Sequence, residues 1–103
     1  MKTKFKRFSP GEIVATRAVA TEVSQLRLLE CLNLHINGQW GELCQEDRDL
    51  NDAATHDGSR ILSCYPIDPS LPATGDNRIW LITEAEGDDG IRSHSTFLYP
   101  DEY

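Results

Sequence analysis

Two strand-like runs around a short turn constrain the fold of this chain most strongly. The runs are NRIWLITEAE at 77–86 and IRSHSTFLY at 91–99, and they are separated by GDDG. Runs rich in β-branched and aromatic residues that flank a Gly/Asp turn are typical of a β-hairpin. Within 79–82 both alternating sets of side chains are apolar, which favours an interior strand. The sequence therefore predicts an antiparallel sheet with 77–86 inside it.

A stripe of apolar residues upstream of the hairpin predicts an amphipathic helix. Leu28, Leu32 and Ile36 recur at four-residue spacing, which places them on one helical face. Thr21 is suited to cap the N-terminus of this helix, and Gly38 lies where a helix C-terminus needs a left-handed residue. One helix is thus expected between these two residues.

A second helix is predicted at about 45–56, because acids occupy its first turn, His56 its last, and Gly58 follows. Further strands are predicted at 12–19 (EIVATRAV) and 60–65 (RILSCY). The predicted order is β-α-α-β-β-β, an α+β fold in which two helices pack on a mostly antiparallel sheet of three to four strands.

Length and charge bound the organisation of the chain. Its 103 residues suffice for one domain, predicted at 10–103, after a basic, flexible leader at 1–9. Residues 1–27 carry six Lys/Arg and two Glu, a net of +4, whereas 28–103 carry four Arg and fifteen acids, a net of −11. Direct binding of nucleic acid by so acidic a body is not expected, whereas basic protein surfaces should attract it.

The three cysteines, Cys31, Cys44 and Cys64, form no CxxC pair and are odd in number. This usage predicts free thiols and a reducing, cytoplasmic setting. Apolar runs of about 20 residues, the length of a membrane span, do not occur, so no membrane association is expected.

The acidic stretch NGQWGELCQEDRDLND at 37–52 invites a calcium-site interpretation. Asp47, Asp49 and Asn51 match the first three ligand positions of an EF-hand loop. The required glycine is replaced by Asp52, and the required bidentate glutamate is replaced by Gly58. We therefore predict no metal site, and no other motif in the chain indicates a cofactor.

Catalytic motifs are equally sparse. The histidines, His35, His56 and His94, are widely separated, and none has a ligand partner at i+3 or i+4; there is neither a serine elbow nor a glycine-rich phosphate loop. We predict no catalytic residue. An alternative is a small enzyme or ligand-binding module with a pocket around His35, Trp40 and Asn51. Trp40 itself is predicted to pack in the core, with an exposed binding anchor as the alternative.

Several segments resemble a family of small uncharacterised proteins carried on bacterial plasmids, integrative elements and prophages. The matching segments are GEIVAT (11–16), HINGQWGEL (35–43), Asp47, Asn51, RILSCY (60–65), IWLITEA (79–85) and LYPDEY (98–103). This chain differs in its Pro-rich loop after Tyr65, its acidic EGDDG turn and its basic leader. The resemblance implies a mobile-element context, in which small acidic proteins serve conjugation, element stability or evasion of restriction and CRISPR defences.

Charge and resemblance together predict a non-enzymatic acidic interaction protein. Its partner would be a basic protein, for example a nucleic-acid-handling host defence enzyme that an anti-restriction or anti-CRISPR inhibitor would target. A regulator that contacts DNA through the leader residues Lys2, Lys4, Lys6 and Arg7 remains a further alternative. The predicted partner-binding residues are Glu42, Glu46, Asp47, Asp49 and Asp52, with Asp88 and Asp89 as a second patch.

Overall fold

The computed structural model describes residues 4–103, and it confirms the predicted α+β fold. One strand is followed by three α-helices and then by the other three strands of a four-stranded sheet, and a 3-10 turn lies at the C-terminal end. The elements are β1 (Glu12–Ala15), α1 (Arg17–Glu22), α2 (Gln25–Ile36), α3 (Gln45–Asp57), β2 (Ile61–Tyr65), β3 (Ile79–Thr83), β4 (His94–Leu98) and the 3-10 turn Pro100–Glu102.

The sheet has the strand order β1-β4-β3-β2. β3 pairs antiparallel with both β2 and β4, which confirms its predicted interior position. β1 pairs parallel with β4, so the sheet is mixed and mostly antiparallel. The predicted hairpin is also present: β3 and β4 pair, and Gly87 and Ile91 join their main chains across the turn.

The first helix differs from prediction in number and position. The strand predicted at 12–19 ends at Ala15, because the Thr16 side chain accepts from Val19 N at 3.3 Å and caps a separate short helix. The predicted cap Thr21 lies inside that helix and donates to Arg17 O. Ser24 caps α2 instead, with its hydroxyl accepting from Arg27 N. Three helices therefore replace the predicted two.

The ends of the longer helices follow the predicted glycines. Gly58 adopts the left-handed conformation (φ 82°) and donates to Ala54 O, which ends α3. Gly38 (φ 75°) follows α2 and donates to His35 O. Glycine reaches these angles without the steric cost that a Cβ imposes.

The core lies between the helices and one face of the sheet. Its larger cluster joins α1 and α2 to the sheet centre and consists of Val19, Val23, Cys31, Tyr65, Ile79, Leu81 and Phe97. A smaller cluster under α3 consists of Trp40, Ala54 and Ile61, with Phe8 and Leu43 at its margin. Burial of such side chains is the main favourable contribution to folding.

The predicted leader lies partly outside the described residues, which exclude 1–3 and therefore Lys2. Residues 4–9 lie against the domain: Lys6 N donates to Thr55 Oγ1 at 2.7 Å, and His56 Nε2 donates to Lys4 O at 2.5 Å. The rings of Phe5 and Phe8 both contact Trp40. Phe5 and Phe8, which lie among the basic residues, thus pack this segment against Trp40 of the domain.

Candidate functional site

The first turn of α3 carries the predicted acidic surface. Glu46 and Asp47 are exposed there, at the positive end of the helix dipole, where carboxylates are favourable. Asp49 is half-buried and accepts from Gln45 Nε2 at 2.8 Å. We call Glu46, Asp47 and Asp49 the α3 acidic face.

Two other predicted partner-binding acids have structural contacts. Asp52 accepts from Trp40 Nε1 at 2.9 Å, which fixes the indole against α3. Glu42 Oε1 accepts from Ala73 N at 3.0 Å and so holds the Pro-rich loop. Each contact uses one carboxylate oxygen, so Asp52 and Glu42 have structural roles, although Glu42 remains exposed.

The second predicted patch lies at the other end of α3. Asp88 and Asp89 occupy the β3–β4 turn, and Glu86 N, just before this turn, donates to O of Gly58, the residue that ends α3. The length of α3, 13 residues, separates this turn from the first turn of the helix by about 18 Å. Asp89 accepts from Ile91 N and shapes the turn itself. The structure therefore keeps the two acidic sets apart.

A cleft of about 550 Å³ lies beside the first turn of α3. Trp40 and Tyr65 form part of its wall, and Arg27, Arg48 and Glu42 line its margin. The Arg48 guanidinium donates to Leu43 O and Gly41 O, and that of Arg27 donates to Pro66 O. The arginines therefore hold the main chain around the cleft.

The three residues of the alternative pocket occupy separate structural positions. His35 on α2 is 0% exposed, and it does not line the cleft beside the first turn of α3. Its ring lies 5.7 Å from that of Trp40, centroid to centroid, but Asn51 points to the edge of the sheet. The structure does not bring the three together around a cavity.

A chain of hydrogen bonds through His35 crosses the sheet. Ser95 Oγ donates its single proton to Pro10 O at 2.7 Å, so it accepts from Thr83 Oγ1 at 2.6 Å. Thr83 in turn accepts from His35 Nε2 at 2.8 Å, which leaves Nδ1 to accept from Ser63 Oγ at 2.6 Å. This order of donors requires neutral His35 with its proton on Nε2.

The charge state of His35 agrees with this hydrogen-bond order. Burial, and to a smaller extent the nearby positive charge of Arg92, lowers the pKa of His35 from 6.5 to about 3. A neutral imidazole with both nitrogens occupied has no free lone pair or proton for a substrate. His35 is therefore a structural residue that joins α2 to three strands.

Trp40 is a core residue, as predicted. Its side chain is 4% exposed, stacks on Phe8 at 6.2 Å between centroids, and meets Phe5 edge-on at 6.3 Å. Its only polar atom donates to Asp52. The alternative of an exposed anchor for a partner is wrong, because the residues of the N-terminal segment already cover the indole.

Asn51 closes the outer edge of β2. Its Nδ2 donates to Leu62 O at 2.8 Å, and its Oδ1 accepts from Leu62 N at 3.2 Å. The side-chain amide thus substitutes for a neighbouring strand. Asn51, Ala54 and Thr55 are the buried residues of α3, and their three- and four-residue spacing is that of one helical face. Because these side chains are small or polar, a search for apolar residues at this spacing does not find the face.

Arg92 is a buried cation that the sequence patterns did not reveal. It is 4% exposed, and its guanidinium donates to O of Ala54, Ser59 and Glu84. Phe8 lies 5.7 Å from it in a cation–π contact. The carbonyl of Ala54 belongs to the last turn of α3, where the helix dipole favours a positive charge. Arg92 therefore joins the hairpin to α3.

The remaining candidate chemistry is limited. Cys31 and Cys64 are buried and Cys44 is exposed, all as free thiols. Burial raises the pKa of Cys31 to about 11, which disfavours the reactive thiolate.

Among residues 4–103, no three His, Cys, Asp or Glu side chains are grouped to hold a metal ion. Within the same residues, no helix combines the length and apolar character of a membrane span.

Comparison with known proteins gives no relative: neither a protein-family model, nor a curated protein, nor a solved structure matches this chain.

Proposed function

We propose that this protein acts through binding rather than catalysis, as an acidic interaction protein of a mobile genetic element. Its partner is a basic protein surface, and the resemblance to mobile-element proteins directs the search to nucleic-acid-handling defence enzymes of the host. The α3 acidic face is the contact surface. An acidic protein of this kind blocks a channel that would otherwise receive a phosphate backbone.

The observation that carries the proposal is the exposure of Glu46 and Asp47 on α3, neither of which forms an ion pair within residues 4–103. The chain has a formal net charge of −7, yet between residues 4 and 103 the single ion pair joins Arg27 and Glu30 at 3.5 Å. Glu46 and Asp47 are exposed on a rigid helix. Preorganised charges of one sign steer association with a surface of the opposite sign.

The state of His35 also favours binding over catalysis. Its two nitrogens bond Ser63 and Thr83 inside the core, where a substrate has no access. The His35 imidazole is fully hydrogen-bonded in the core, whereas the carboxylates of Glu46 and Asp47 are exposed. The surface therefore supports electrostatic association best.

The test is capture of a partner from a lysate of a bacterial host by the immobilised protein. We expect a basic nucleic-acid-handling enzyme to be captured, to be released by salt, and to be displaced by duplex DNA. The double variant Glu46→Gln/Asp47→Asn should reduce capture at least about tenfold, since it removes two charges at the contact.

The matched control is Asp76→Asn/Asp101→Asn, which makes the same change in net charge at two exposed positions near a different cleft. It should capture the partner normally. A third variant, Asp88→Asn/Asp89→Asn, tests the turn patch separately. Equal capture by the α3 variant and by the wild type would exclude the α3 acidic face as the contact.

A further inference from the structure

We propose that the open edge of β1 pairs with β1 of a second copy, so that two sheets join into one of eight strands. The edges of the sheet are β1 and β2. Glu12 N donates to Ser93 O and Thr16 N donates to Phe97 O, so the main-chain N–H and C=O groups of the even-numbered residues of β1 point toward β4. By the alternation of a strand, the main-chain groups of Ile13 and Ala15 point away from it.

An apolar groove of about 390 Å³ runs along this edge on the helix side of the sheet. Ile13 and Ala15 form its strand wall, and Leu28, Leu29 and Leu32 of α2 form the other. Ile13 is 40% exposed and Leu29 62%, and Leu26, one helical turn before Leu29, is 70% exposed. Exposed apolar side chains beside unpaired strand edges are typical of a strand-pairing surface.

The edge is self-complementary. Antiparallel pairing of Ile13 with Ala15 of the second copy uses every outward main-chain group of β1 and gives four hydrogen bonds about a two-fold axis through Val14. Both side chains lie on the helix face, so the two apolar grooves meet. This register also sets Glu12 beside Thr16 of the copy, the residue before Arg17.

Charge complementarity favours a second copy over another partner. Along the edge and the helices behind it, Glu12, Arg17, Glu22 and Arg27 alternate in sign, whereas residues 28–103 have a net charge of −11. A two-fold axis brings Glu12 of one copy near Arg17 of the other, twice. Two copies therefore meet where their charges balance, and the acidic surfaces of α3 stay outside the interface.

The test exchanges this pair of charges between copies. Sedimentation equilibrium of the full chain should give a dimer for the wild type. Glu12→Arg alone and Arg17→Glu alone should each weaken dimerisation at least about tenfold, because two opposite-charge pairs become two like-charge pairs. An equimolar mixture of the two variants should dimerise again, since both pairs are then of opposite sign.

Hydrogen exchange gives a second measurement that needs no substitution. The amides of Ile13 and Ala15 should exchange more slowly as the protein concentration rises, whereas the amide of Val14, which faces β4, should not respond. Circular dichroism must show both single variants folded.

Three outcomes would overturn the proposal. They are a monomeric wild type at all concentrations, dimers that both single variants form as well as the wild type, and a monomer that instead binds an unrelated extended peptide along β1. None of them bears on the α3 acidic face, because that surface lies on a different helix.

Discussion

The two edges of the sheet are built differently. Along β2, the Asn51 side chain bonds Leu62, and the segment 40–42 bonds Cys64 on both sides: Cys64 N donates to Trp40 O and Glu42 N to Cys64 O. Along β1, the strand has four residues, one neighbouring strand and an apolar groove. The first edge is closed by the chain itself, whereas within residues 4–103 no further strand pairs with the second.

The difference shows how a small domain controls strand pairing. An unpaired edge is a site for association, and proteins generally protect it. Here α3 and the segment before it protect β2 with one amide side chain and one short stretch of main chain. At β1, the contact comes instead from the neighbouring strand: Ser95 Oγ of β4 donates to Pro10 O, just before β1 begins.

The largest effect on this comparison should come from Gly41→Ala. Gly41 has φ 81°, and an added Cβ would lie 2.0 Å from Cys64 O, so segment 40–42 must move off β2. We expect a loss of about 3 kcal/mol or more in the free energy of unfolding, measured by urea denaturation.

Gly75→Ala is the matched control for this substitution. Gly75 also has a positive φ (55°), but nothing lies within 4 Å of the added Cβ. Its cost should be about 1 kcal/mol, from backbone strain alone. Similar losses for the two variants would show that contact with β2 does not determine the cost at Gly41.

The next effect concerns the side-chain contact on the same edge. Asn51→Ala removes two hydrogen bonds to Leu62, and we expect a loss of about 2 to 3 kcal/mol in the free energy of unfolding. Amide exchange at Leu62 should also accelerate. If stability were unchanged, the closed edge would depend on residues 40–42 and not on Asn51.

Acid should destabilise the folded protein through His35, whose hydrogen bonds to Ser63 and Thr83 lie between the two edge strands. His35 is neutral in the folded protein (pKa about 3) and protonates near 6.5 when unfolded, so the unfolded state binds more protons as pH falls. Stability is full above pH 6.5 and declines below it. Between pH 7 and pH 5, denaturation should show a loss of about 2 kcal/mol.

Histidine variants separate this contribution from those of other groups. His56 is exposed on α3, so His56→Gln should retain the pH dependence, whereas His35→Gln should lose most of it. A slope that survives in the His35 variant would assign the acid sensitivity to groups outside the hydrogen-bond chain.

The smallest effect on stability is expected at the open edge. Leu29 is 62% exposed, so Leu29→Gln should change the free energy of unfolding of the dilute protein by about 0.5 kcal/mol at most. It should nevertheless weaken self-association in sedimentation experiments. A large loss of stability in dilute solution would mean that the β1 groove belongs to the core of the single chain.

Much of the fold was predictable because local patterns and tertiary structure agree. The apolar alternation of β3, the Gly/Asp turn after it and the glycine that ends α3 each act over a few residues. The start of α2 was not predictable from Thr21, because Thr16 and Ser24 are equally good caps and each of them begins a separate helix. Exposed acids at the start of α3 followed from the sequence, whereas the contacts of Glu42 and Asp52 did not.

The sequence by itself determined the periodicity of the elements, the interior position of β3 and the charge asymmetry between residues 1–27 and the rest. Tertiary structure alone decided that Asn51 closes an edge, that His35 joins Ser63 to Thr83, and that Arg92 lies under Phe8. Each of these polar groups is satisfied by atoms far away in the chain. Their roles depend on which distant donors and acceptors folding brings near, and periodicity within one element carries no record of that.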